Sequence, residues 1–173
     1  MRRRSASRRP QSPQRPPRKT SFVRVRVVSV GRDRDFTAQG SADYADRLKR
    51  VCAIELLELR AESGPAAAER EGKAILAAAS KGKDAVEIWS LDLRGRELSS
   101  EELAQRVGRL RDSAMNLSLC IGGDEGLSGE VLKTAKFSWC LSRLTLPHRL
   151  ARLVVTEQVY RAFEILRGTP YHK

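Results

Sequence analysis

Leu117-Ser-Leu-Cys-Ile-Gly-Gly-Asp-Glu-Gly-Leu-Ser128 is an apolar run that ends in a glycine-rich turn. Its length and flanks predict a buried strand, Leu117–Ile121, that opens into a loop. A second run, Leu141-Ser-Arg-Leu-Thr-Leu-Pro-His148, follows about 20 residues later and ends in Pro-His. The segment after it, Arg149–Arg167, has the spacing of a long helix, with Leu150, Leu153, Tyr160 and Phe163 expected on its inner face. Gly168 and Pro170 stop that helix. Two loops that leave neighbouring strands can grip one small ligand between them.

Working outward, strands and helices alternate. Phe22–Val30 reads as a β-branched strand that exits at Gly31 and Arg32-Asp-Arg-Asp35. Phe36–Val51 is a helix and Ile54–Leu59 a second strand. Ala66–Ala79 is an Ala-rich helix that Gly82 closes. Ala85–Leu91 is a third strand, ending at Asp92 and a turn at Gly95. Ser99-Ser-Glu-Glu102 is a capping box that opens a helix to about Arg111. Ser128–Lys136 is a short helix and Trp139–Leu146 a fifth strand. This order predicts an α/β fold built on a parallel sheet covered on both faces, with ligands beyond the strand C-termini. The loops at Leu91-Asp92, Gly122-Gly123 and Leu146-Pro147-His148 leave strands at that edge.

The chain has 173 residues and a net charge of +12. Residues 1–21 hold eight basic residues, no acidic ones and four of the seven prolines. Removing those eight charges from +12 leaves +4 for residues 22–173. We therefore read 1–21 as a disordered basic extension and 22–173 as one folded domain. The extension suits either an organellar transit peptide or an arm that attracts RNA phosphates. The expected location is cytoplasmic for a bacterial chain, and a plastid or other organelle if the extension is a transit peptide. No apolar run is long enough to span a membrane. Cys52, Cys120 and Cys140 lack a Cys-x-x-Cys spacing, which argues against a disulfide framework or a zinc site. With only two histidines, no metal site is expected.

The glycine loop matches neither the G-x-G-x-x-G fingerprint nor a phosphate-binding P-loop. Asp124 and Glu125 would repel a phosphate and tolerate a cation, a condition that a sulfonium cofactor meets.

These stretches, together with Val27-Val-Ser-Val-Gly31, Glu157-Gln-Val-Tyr-Arg-Ala-Phe163 and the terminal Tyr171-His172-Lys173, resemble one family. It is the ribosomal large-subunit pseudouridine N3-methyltransferases, a small branch of the SPOUT methyltransferases. The resemblance covers about 22–173. Asp124 and Arg143 are mild departures from its pattern. It implies a C-terminal trefoil knot, a homodimer and S-adenosylmethionine as cofactor. It implies cofactor contacts at Leu91, Gly122, Gly123, Leu141, Ser142, Arg143, Leu144, Thr145 and Leu146. The implied substrate is a pseudouridine of large-subunit rRNA within the ribosome, methylated at N3. Resemblance and chemistry together give His148 and His172 as candidate bases or orienters. Arg161 is a candidate anion stabiliser, and Tyr171 a stacking or hydrogen-bonding partner for the base. One subunit's tail is expected at the other's cofactor. A non-catalytic RNA-binding or ribosome-associated module stays open as an alternative. So does a SPOUT methyltransferase with another RNA target.

Overall fold

The computed structural model describes residues 23–172, the side chain of His172 excepted. The expectation for residues 1–21 lies outside the described residues, as does Lys173.

Five parallel strands form one sheet in the order β2-β1-β4-β3-β5. They are β1 (Arg24–Val30), β2 (Ala53–Leu59), β3 (Val86–Glu97), β4 (Asn116–Ile121) and β5 (Phe137–Cys140). β1 and β4 sit inside the sheet, and their mostly β-branched and aliphatic residues are buried along nearly their whole length, together with Arg26, Ser29 and Ser118. Successive side chains go to opposite faces. Leu117, Leu119 and Ile121 of β4 therefore enter one core with Trp89 and Phe163, while Cys120 enters a second core with Val28, Val30 and Ile75.

The helices are α1 (Phe36–Leu48), α2 (Ala67–Ala79), α3 (Ser100–Asp112), α4 (Gly129–Thr134) and α5 (His148–Leu166). A short 3-10 turn, Pro170–His172, follows α5. α5 packs between α1 and α3 on one face of the sheet, and α2 and α4 pack together on the other. The expected capping box is present. Ser99 accepts the N–H of Glu102, and the Glu102 carboxylate accepts the N–H of Ser99. Asp35 caps α1 by accepting from the Thr37 N–H, and Ser128 caps α4.

Three expectations are corrected. β3 does not end at Asp92. It leaves its partner after Leu91↔Trp139 and rejoins it at Arg96↔Trp139 and Glu97↔Cys140. Gly95 allows this return, because a β-carbon there would lie 2.6 Å from the backbone of Ser138. Secondly, β5 is Phe137–Cys140, and Leu141–Leu146 is a loop. The alternation of leucines resembled a strand, but local bonds hold the backbone otherwise. Cys140 Sγ donates to the Ser142 carbonyl, and Ser142 Oγ accepts the Leu144 N–H at 3.0 Å.

Thirdly, the inner face of α5 is Ala151, Val155, Val159, Ala162 and Phe163, with Leu150, Leu153 and Tyr160 only half-buried. Most of that face is Ala and Val, and α5 is flanked by helices on both sides. Leu153 covers Gly40 of α1, and Tyr160 meets Tyr44 of α1 with ring centroids 5.8 Å apart. Part of the apolar surface of α5 beyond its inner face is thus covered within the same chain.

Candidate active site

The irregular middle of β3, Leu91–Arg94, and the loops that follow β4 and β5 converge around a cleft of about 1230 Å³. The β1–α1 connection closes it through Asp35, Phe36 and Thr37, and the first turn of α5 supplies His148. Pockets for small ligands usually span about 300–1,000 Å³. This cleft therefore has room for a ligand and a second reacting group.

The β4 loop is a tight hairpin. Gly126 donates its N–H to the Gly123 carbonyl at 3.0 Å, and Gly126 has φ +79°. A β-carbon on Gly122 would lie 2.3 Å from the Gly126 carbonyl carbon, so only glycine fits there. One on Gly123 would point away from the solvent, at 3.0 Å from Val30 and 3.2 Å from Glu71. The loop thus presents main chain, with Asp124 97% exposed at its tip. The irregular middle of β3 is fixed by Asp92, which accepts from the backbone and guanidinium of Arg94. Those bonds hold the Asp92 carboxyl below its ordinary range.

Of the residues expected at a cofactor, Leu91, Gly122, Gly123, Leu141, Ser142, Leu144, Thr145 and Leu146 line this cleft. Arg143 is exposed and lies off its wall. His148 also lines it, with Nδ1 3.6 Å from Asp124 Oδ1 and the ring packed on Gly31. A carboxylate pair and main-chain groups suit a ligand that carries a positive charge.

Arg161 and Tyr171 are elsewhere. They form a second cluster, about 20 Å from His148 along α5. The Arg161 guanidinium is held by Glu157 at 2.7 Å and lies 5.0 Å from the Tyr171 ring centroid. Glu157 raises the Arg161 pKa further. Tyr171 packs edge-on against Tyr160, and its hydroxyl lies 3.2 Å from Glu157 and 3.3 Å from the Tyr44 hydroxyl. Burial, followed by those neighbours, pushes the Tyr171 phenol well above its ordinary pKa. The backbone of His172 ends the 3-10 turn beside this cluster; its side chain is not among the described groups. Within one chain, then, His148 meets neither Arg161 nor Tyr171.

Sequence reasoning missed the contribution of the β1–α1 connection, whose only signal was the run Arg32-Asp-Arg-Asp35-Phe36. It also missed the buried Arg152, which pairs with Glu58. Glu58 in turn accepts the Asp33 N–H, so this pair ties α5 to β2 and to the cleft wall. Among the described residues no group of three or more His, Cys, Asp or Glu is placed to hold a metal ion. No helix of the described residues is long and apolar enough to cross a membrane.

Comparisons with known proteins agree with this geometry. The family model described as "Predicted SPOUT methyltransferase" matches residues 23–172. A protein of Xanthomonas oryzae pv. oryzae named ribosomal RNA large subunit methyltransferase H is 42% identical over 158 residues, covering 87% of this chain and 99% of that protein. One of the same name from Anaeromyxobacter sp. is 46% identical over 156 residues, covering 87% and 100%. A crystal structure of a probable methyltransferase from Bordetella pertussis shares the fold, with a TM-score of 0.55 at 15% identity over 82% of this chain and 95% of that one. With a family model spanning the described domain and relatives this similar over their full length, the chain belongs to the SPOUT methyltransferases.

Proposed function

We propose that this methyltransferase acts on N3 of a pseudouridine in large-subunit rRNA on the assembled ribosome, with S-adenosylmethionine bound in the cleft. The observation that carries the reading is the convergence of the irregular middle of β3 and the loops after β4 and β5 on one cleft beside His148, in a chain 42–46% identical to proteins named for rRNA large-subunit methylation. Those relatives are bacterial, which supports a cytoplasmic enzyme.

The residues present fit the cofactor. The main chain at Gly122 and Gly123, the leucines at 91, 141 and 146 and the carboxylates of Asp124 and Glu125 suit a body part apolar and part cationic. When bound, S-adenosylmethionine supplies an electrophilic methyl group on a sulfonium. The chain's own task is to orient the base and to take the N3 proton. His148 is held between Gly31 and Asp124, at a fixed place on the cleft wall, and can accept that proton or orient the acceptor. Tyr171 keeps its own proton at neutral pH and therefore serves as donor or stacking surface, not as base.

The distance between His148 and the Tyr171 cluster supports a homodimer in which one subunit's tail completes its partner's cleft. Leu93 and Leu144, 56% and 72% exposed on the cleft wall, are apolar surface that such a partner would cover. The reading includes the trefoil knot, with the segment after β5 passing beside the β4 loop before α5 begins.

The test is single-turnover methylation of ribosomes from a strain that lacks this modification, followed by mapping of the modified nucleotide. A methyl on N3 of a large-subunit pseudouridine is expected. A methyl on another nucleotide would keep the family and replace the target. Ribosome binding with no transfer would make the chain a binding module.

A further inference from the structure

The β1–α1 connection, Gly31-Arg-Asp-Arg-Asp-Phe36, looks charge-neutral in sequence, but the fold sorts its charges. Asp33 is buried and accepts from Thr37 Oγ1, which lies 2.8 Å from each of its oxygens. Asp35 accepts the Thr37 N–H at 3.0 Å and faces Arg149 at 3.5 Å. Both carboxylates are therefore spent on building the first turn of α1. Arg32 and Arg34 are exposed, with no ion-pair or hydrogen-bond partner among the described residues. Phe36, the first residue of α1, is 73% exposed at the mouth of the cleft that His148 lines.

An exposed phenyl ring beside two free guanidiniums suits a nucleic-acid strand better than a protein core. Protein interfaces deplete unpaired charge at their centres. A single strand uses both features, placing phosphates on the arginines and a base on the ring. We propose that Phe36 is the stacking platform for an unpaired nucleobase at or next to the target, and that Arg32 and Arg34 hold the flanking phosphates. This rests on the RNA-methylation reading above and names the element that would engage the RNA.

The experiment uses the full-length protein and ribosomes that lack the modification, with two readouts: methyl transfer and co-sedimentation across a salt series. Phe36→Ala should lower kcat/KM for ribosomes by about 10- to 100-fold, the range expected for losing one base–aromatic stack. Phe36→Trp should restore it. Arg32→Gln and Arg34→Gln should each reduce the slope of log binding against log salt by about 0.7. Sedimentation mass should not change in any variant, nor S-adenosylmethionine affinity in Arg32→Gln or Arg34→Gln. With p-benzoylphenylalanine in place of Phe36, irradiation should give a crosslink to rRNA.

Wild-type rates and ribosome retention in Phe36→Ala would overturn the proposal. So would a dimeric wild type that Phe36→Ala makes monomeric, or a crosslink only to a second protomer, because Phe36 would then be a subunit contact. If the wild type binds ribosomes through Phe36 but transfers no methyl, the platform stands and the methylation reading falls. If it does not bind ribosomes at all, the platform falls too.

Discussion

The imidazole of His148 rests on Gly31: a β-carbon at Gly31 would stand 2.8 Å from Nε2. Gly31 also holds φ +90° while donating its N–H to the Leu59 carbonyl at 2.9 Å. The glycine thus does two things. It turns the chain out of β1, and it leaves room for a ring from α5. Gly31→Ala should cost about 1–3 kcal/mol through the strained backbone and should displace the imidazole. We expect methyl transfer to fall at least about 10-fold, since small misplacements cost up to about 100-fold. If Gly31 acts by seating His148, then Gly31→Ala added to His148→Ala should remove little further activity. Additive losses would show that Gly31 matters for another reason.

The β4 loop separates two kinds of glycine. Gly122 has no room for a β-carbon, whereas Gly126 needs a positive φ but has nothing within 4 Å of the position a β-carbon would take. Gly122→Ala should therefore push the hairpin open and weaken S-adenosylmethionine binding by about 10-fold or more. Gly126→Asn should be nearly silent, because Asn tolerates this conformation. Gly123→Val should act indirectly, by driving its side chain into Val30 and Glu71 rather than by filling the cleft. Calorimetry on the three folded variants checks the order, and equal affinities for Gly122→Ala and wild type would refute it.

Much of this architecture was legible in the sequence because its physics is local. The β4 run, the Ser99–Glu102 box and the Ala-rich α2 announce themselves by composition and spacing. What was not legible depends on neighbours. Leu141–Leu146 alternates like a strand, yet Ser142 and Cys140 bond the backbone into a loop at the sheet edge. β3 continues past Asp92 because Gly95 lets it rejoin β5, a fact about the partner strand. The Arg152–Glu58 pair joins residues 94 positions apart, so no window of sequence reveals it. The site residues on the loops were found through motifs. Phe36, with a single aromatic ring and no repeat around it, carried no such signal.

Cys52 and Cys120 give a pH dependence with a definite sign. Burial pushes both thiols up to about 12, while an exposed thiol ionises near 8.5. Above about pH 8.5 the unfolded chain releases protons that the folded chain keeps. The unfolded state then binds fewer protons, so stability should fall as pH rises from about 9 towards 12, and these thiols should have no effect below about 8. Urea midpoints across that range should decline more steeply than those of a Cys52→Ala/Cys120→Ala variant. Iodoacetamide at about pH 8 should label these two sites only on unfolding. Labelling of the native protein at the rate of a free thiol would contradict the assignment.

The two clusters on α5 yield the sharpest prediction, because they distinguish a site within one chain from one shared between two. Deleting Tyr171, His172 and Lys173 removes the edge-on contact to Tyr160 and the hydroxyl beside Glu157, but no residue of the cleft. Folding and S-adenosylmethionine binding should survive, while methyl transfer should fall by at least about 100-fold. His148→Ala should be comparably impaired. If a partner's tail completes each cleft, then mixing the two inactive proteins as unfolded chains and refolding them should recover activity. Half the dimers would be mixed, and each mixed dimer would pair one intact cleft with one intact tail. The yield should therefore approach about one quarter of the wild-type rate. A tail that served its own chain would give no recovery, since every chain would lack one half of its site. Recovery near a quarter, together with a dimeric mass, would establish the shared site. An inactive mixture of well-folded dimers would place the tail's function within its own subunit.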